Sequence, residues 1–125
     1  MSAMTIDVWT KGVHKSSDGQ EYQFAQEDLE TLVRHYDPLN APAPVVIGHP
    51  KHDEPAYAWV ETLFLQGSRL RALLKDVEPE FAELLKAGRY KRISPAFFPK
   101  TANNNPTPGN YYLLHVGFLG RGTRK

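Results

Sequence analysis

The spacing of apolar positions changes along the chain, and each change marks an element. Ile6, Val8 and Trp9 form a short apolar stretch that predicts a strand. Residues 15–20 are Lys, Ser, Ser, Asp, Gly and Gln, a run of turn formers that predicts a loop. Over residues 26–36, Leu29, Leu32, Val33 and Tyr36 follow one another at steps of 3, 1 and 3, which is one face of a helix. Glu27, Asp28 and Glu30 fall in its first turns and Arg34 and His35 in its last, matching the helix macrodipole. Pro38 stops it. The β-branched run 45–47 predicts a buried strand ending at Gly48-His49-Pro50, followed by a charged loop over 51–55. Residues 56–65 and 70–77 are two further strands split by the hairpin turn Gln66-Gly67-Ser68. In the second, Leu70, Ala72 and Leu74 alternate with Arg69, Arg71 and Lys75.

A second helix begins at Glu78-Pro79-Glu80, with Phe81, Leu84 and Leu85 as its apolar stripe and Gly88 as its stop. Residues 90–98 predict a strand interrupted at Ser94-Pro95. Residues 100–110, with three consecutive Asn, predict a surface loop, and 111–119 a last strand. The sum is an α+β fold: a mostly antiparallel sheet of about six short strands, closing as a β-barrel, with two or more flanking helices. Connections are too short for repeated βαβ crossovers.

Length and composition narrow the function. The 125 residues fit one domain, 1–125, with 121–125 as a flexible basic tail. The formal net charge of +1 lacks the basic excess of a nucleic-acid binder. The absence of Cys excludes disulfides, a Cys nucleophile and thiolate zinc sites. No apolar run approaches the roughly 20 residues of a membrane span, and 1–11 lack the pattern of a signal peptide. An intracellular protein binding neither nucleic acid nor membrane is expected.

The chemistry-bearing residues are few. His35 suits the end of the first helix, and His14, beside a loop, is expected to be solvated. His49 ends a β-branched strand and is held between Gly48 and Pro50, a setting suited to a cleft; its plainer reading is a loop cap. His49, His52 and Asp53 invite a metal reading, but Pro50 prevents a helix from aiming both imidazoles at one ion, and a catalytic zinc usually takes three protein ligands. No metal or organic cofactor is expected. Ser94 stands in Ile93-Ser94-Pro95: either a tolerated strand serine or a nucleophile activated by a neighbouring base. His115 is the odd polar residue among Leu113, Leu114, Val116 and Phe118, and a buried imidazole needs a partner. A meeting of His115 with His49 or Ser94 completes the logic of a nucleophile, a base and an orienting group.

Four motifs occur in order: Gly48-His49-Pro50; Ala56-Tyr57-Ala58-Trp59-Val60; Gly88-Arg89-Tyr90 with Ile93-Ser94-Pro95-Ala96-Phe97; and Leu114-His115-Val116-Gly117-Phe118-Leu119-Gly120. Over roughly residues 4–120 the chain resembles the Mu-like phage I protein family, the combined prohead protease and scaffold proteins of tailed phages. The resemblance implies a serine endopeptidase related to phage prohead and herpesvirus assemblin proteases, built on a β-barrel. It implies Ser94 as nucleophile, His49 as first histidine and His115 as second. It places Gly120 and Arg121 near the oxyanion, as backbone donors or charge. Pro95, lacking an N–H, is excluded as an oxyanion donor. The implied partners are phage scaffold and major capsid proteins and the chain itself, through autocleavage or self-association. The implied location is the cytoplasm of the bacterial host, inside the assembling prohead. Mu-like members usually continue into a scaffold region, so an excised protease domain or a reduced relative is expected. Two other readings stand beside the protease: a non-enzymatic capsid-assembly or scaffold module of the same fold, and a small metal-binding domain using His49, His52 and Asp53.

Overall fold

The computed structural model describes residues 4–15, 21–48 and 56–120. In chain order these form strands β1 (Met4–Thr10), β2 (Gly12–Lys15) and β3 (Glu21–Phe24), helix α1 (Gln26–His35), strands β4 (Pro44–Ile47), β5 (Ala58–Gln66) and β6 (Arg69–Lys75), helix α2 (Pro79–Lys86), and strands β7 (Tyr90–Phe98) and β8 (Tyr112–Gly120). Six strands make one sheet in the order β1-β6-β5-β4-β8-β7, while β2 and β3 pair as a separate hairpin. All neighbours are antiparallel except β4 and β8, which run parallel. The sheet curls into a nearly closed barrel accompanied by the two helices, as the pattern predicts. Trp9 of β1 and Phe97 of β7 meet across its seam with ring centroids 5.5 Å apart.

Alternation decides which faces are buried. Leu70, Ala72 and Leu74 of β6 are all buried, while Arg69 and Arg71 turn outward and both bind the Asp7 carboxylate of β1, at 3.1 and 2.7 Å. Helix α1 opens with the Ala25 N–H donating to the Asp28 carboxylate at 2.8 Å and buries Leu29 and Leu32. In α2 the buried residues are Phe81 and Ala82, with Leu85 packed against the core and Leu84 half-buried. The stripe expected at Phe81, Leu84 and Leu85 is therefore turned toward Ala82. Phe81 sets its ring edge-on to Phe118 of β8 at 5.3 Å, which joins α2 to the barrel.

Three other expectations are corrected. The β2–β3 hairpin is an addition to the six predicted strands, and Lys15 belongs to β2 rather than to a loop; residues 16–20 lie outside the described residues. β7 runs through Ser94-Pro95 without a break, pairing Ser94 with Gly117 and Pro95 with Val116; its register shifts fall at Tyr90/Arg92 and Ala96/Phe97 instead. A proline is tolerated there because β7 ends the sheet, where a missing N–H costs no ladder bond. His14 is not simply solvated: it stacks on Trp9 at 3.9 Å and its Nε2 donates to the Thr10 carbonyl at 2.8 Å.

Two tyrosines fix the entry to β4. The Tyr36 hydroxyl donates to the Val60 carbonyl at 2.7 Å and accepts from the Ala43 N–H at 2.9 Å. The Tyr112 hydroxyl donates to the Ala41 carbonyl at 2.8 Å and accepts from the Asp37 N–H at 2.9 Å. The rings stack at 5.7 Å. Burial, partly offset by the Ala43 N–H, pushes the Tyr36 phenol up to about 12, and burial raises that of Tyr112. The clamp ties the α1–β4 connection to β5 and β8, and so sets where β4 delivers Gly48.

Candidate active site

Register brings Ser94 and His115 onto one face. In the β7–β8 pair Ser94 lies opposite Gly117 and Ala96 opposite His115. Directly opposed residues share a face, as do positions two apart on a strand. Ser94, Ala96, His115 and Gly117 therefore point one way, and Val116 and Phe118 point the other way into the core. Ser94 and His115 are diagonal cross-strand neighbours. That geometry separates backbones by roughly 7–8 Å, a span that the longer of the two side chains, the His115 imidazole, partly covers. Both residues are half-buried, and His115 Nδ1 is shielded from solvent.

Gly117 explains how a third element joins them. On its other side it pairs with Val46 of β4. A Cβ at position 117 would stand 3.0 Å from the Gly48 carbonyl oxygen and 3.2 Å from the Ser94 carbonyl oxygen. Only a glycine lets both backbones close over that point. Gly48 donates its N–H to the Phe118 carbonyl at 2.9 Å and holds φ at +73°, in the left-handed region that favours glycine. The chain thus leaves β4 by turning over the bare backbone of Gly117, beside Ser94.

His49, the next residue, lies outside the described residues, as do Pro50, His52, Asp53 and Arg121. Gly120 pairs with Tyr90, three residues beyond Gly117, which is about 10 Å along a strand. Its Cβ position lies 3.0 Å from the Arg89 carbonyl oxygen, so close packing against the start of β7 accounts for the glycine. Gly120 is not beside Ser94. The structure thus brings together Ser94, His115 and the backbone preceding His49. It also adds Gly117, to which sequence reasoning assigned no role. The available signal was a glycine inside the most apolar strand, a mark of close backbone approach.

His35 is exposed at the end of α1, as expected. Among the described residues no three His, Asp or Glu side chains are grouped to hold a metal ion. No helix among them is long and apolar enough to cross a membrane.

Comparison with solved structures defines the class of fold. A structure of Kaposi's sarcoma-associated herpesvirus protease in complex with a dimer disruptor matches with a TM-score of 0.52 and 16% identity, over 99% of this chain and 72% of that one. Another, in complex with an allosteric inhibitor, gives 0.50 and 15%, over 99% and 74%. The chain therefore has a protease-like fold of the herpesvirus protease type. No protein-family model matches the chain, and no curated protein sequence matches it.

Proposed function

We propose that the protein is a serine endopeptidase of the phage head-maturation type, acting on scaffold and capsid proteins during prohead assembly. The observation that carries the catalytic reading is the placement of Ser94 diagonal to His115 on one face, with Gly48 turned over Gly117 between β4 and Ser94. In this reading Ser94 Oγ attacks the scissile carbonyl, and His49 takes the hydroxyl proton and returns it to the leaving amine. His115 holds the His49 ring in one tautomer and orientation. A neutral second histidine stabilises the imidazolium less than a carboxylate does, so slow turnover is expected. The oxyanion needs backbone N–H donors, and Pro95 offers none. Of the proposed oxyanion pair, Gly120 lies about 10 Å along β8 from Gly117, and Arg121 lies outside the described residues. The phage assignment rests on the ordered motifs, and self-association is consistent with the dimer disruptor bound by one structural neighbour.

The test is covalent labelling by a fluorophosphonate. The expected result is one adduct, mapped to Ser94, absent from Ser94→Ala. Its rate should rise with pH through a histidine-like value of about 6.5. A folded protein that takes up no label, or labels equally well as Ser94→Ala, returns the chain to the assembly-module reading.

A further inference from the structure

The acids and bases are segregated along the chain. Residues 1–83 hold seven Lys and Arg against 14 Asp and Glu, a net −7. Residues 84–125 hold eight Lys and Arg and no acid at all, a net +8. The overall +1 hides this division. The positive part includes both strands that carry Ser94 and His115.

Four of these cations lie between the end of α2 and the middle of β7: Lys86, Arg89, Lys91 and Arg92, all exposed. The three ion pairs formed among the described residues use Arg69, Arg71 and Lys100, and none of these four. Arg92 is the best placed. It precedes Ser94 by two positions, and the pairing from Arg92 opposite Leu119 to Ala96 opposite His115 is regular. Arg92 therefore shares the face of Ser94 and His115, about 7 Å along the strand from the nucleophile, the span of two substrate residues.

We propose that Arg92, supported by the basic residues that precede it, binds an acidic segment of the polypeptide substrate close to the bond that Ser94 attacks. The proposal rests on the protease reading for the role of Ser94 and adds the chemical class of what is recognised. Guanidinium and ammonium groups outside the ion pairs of the described residues, close to a reacting serine, favour carboxylates, and their local excess of positive charge speeds encounter with acidic partners. A polypeptide fits better than a nucleic acid. Tyr90, the aromatic residue of β7 nearest Arg92, packs its ring against Phe81 at 6.0 Å and is not a free platform for a base.

The experiment uses the 125-residue chain carrying Ser94→Ala, so binding is read without cleavage. The probes are a fluorescein-labelled glutamate-rich peptide, its glutamine counterpart and an oligothymidylate, followed by anisotropy. The glutamate peptide should bind about tenfold more tightly than the glutamine peptide, and the difference should shrink as salt is raised. Adding Arg92→Gln should weaken the glutamate peptide roughly threefold, whereas Lys15→Gln on the hairpin should leave it unchanged. Equal affinity for the two peptides, no effect of Arg92→Gln, or tighter binding of the oligothymidylate overturns the proposal. Failure of the fluorophosphonate to label Ser94 while the glutamate peptide still binds overturns the protease reading alone. Labelling of Ser94 with no preference between the peptides overturns the acidic-segment proposal alone.

Discussion

Strands β7 and β8 carry two regions held together by opposite means. Toward one end, the barrel seam is filled with rings. Phe24 lies 5.0 Å from Phe97, 5.7 Å from Trp9 and 4.3 Å from Tyr111, and is itself 2% exposed. A few residues along the same strands, around Gly117, side chains are missing and backbones meet directly. Volume maintains the first region, and its absence maintains the second. The aromatic end closes the seam and ties the hairpin to the barrel. The bare face leaves room for β4 to cross and keeps a polar pair at the surface. Substitutions should therefore act with opposite sense in the two places: removal damages one and addition damages the other.

The largest expected effect on stability comes from removing volume. Phe24→Ala empties a site bordered by four aromatic side chains and should cost about 3–5 kcal/mol, read as a fall in the denaturant midpoint. Ser94 should still take up fluorophosphonate at temperatures where the variant is folded. A cost below about 1 kcal/mol would show that the hairpin does not share the barrel's core.

Gly117→Ala is the converse. The added carbon meets two carbonyl oxygens rather than the flexible ends of side chains, so backbone has to move. A cost of about 1–3 kcal/mol is expected, together with loss of Ser94 labelling, because the exit of β4 shifts away from β7. A variant as stable and as readily labelled as the parent would mean that the Gly48 crossing has no part in positioning the site.

His115→Ala sharpens the comparison within the bare face. It takes away a half-buried ring and adds nothing, so Gly117 and the β4 crossing stay in place. Labelling of Ser94 should slow about tenfold, close to 1.4 kcal/mol of activation free energy, with the folded state retained. An unchanged rate removes His115 from the catalytic group. Complete loss of labelling in a folded variant would make it the base itself.

What the sequence revealed follows from the range of the forces involved. The strands over 56–65, 70–77 and 111–119, and the helix over 26–36, announce themselves because burial on one face imposes a local period. The β2–β3 hairpin does not. Each of its strands has four residues, and Val13, 61% exposed, is no part of a buried face. Phe24 is fixed by rings at Phe97 and Tyr111, more than seventy positions away, which no local window contains. Ser94 and His115 were legible as residue types, and the β7–β8 register puts both on one face. The role of Gly117 was not, because close approach depends on which strand lies beside β8. That neighbour, β4, reaches it by a parallel pairing that the sequence pattern does not specify.

The smallest expected effect lies at the tyrosine clamp that positions β4. Tyr36→Phe removes the hydroxyl that donates to Val60 and accepts from Ala43, and should cost about 1 kcal/mol at neutral pH. Its signature is in the pH dependence. The Tyr36 phenol titrates near 12 in the folded protein against an ordinary value of 10.0, chiefly because burial disfavours the phenolate. Below pH 10 folded and unfolded chains both keep the proton, and the contribution of the group is fully present. Between pH 10 and about 12 the unfolded chain releases the proton while the folded chain holds it, so stability declines as pH rises through that window. Tyr112, also raised by burial, bends the curve in the same direction. The difference in unfolding free energy between parent and Tyr36→Phe, measured by urea titration from pH 8 to 12, should therefore narrow above pH 10. A difference that stays constant across that range would mean that the Tyr36 hydroxyl ionises as freely in the folded chain as in the unfolded one, and that the clamp is held by ring stacking alone.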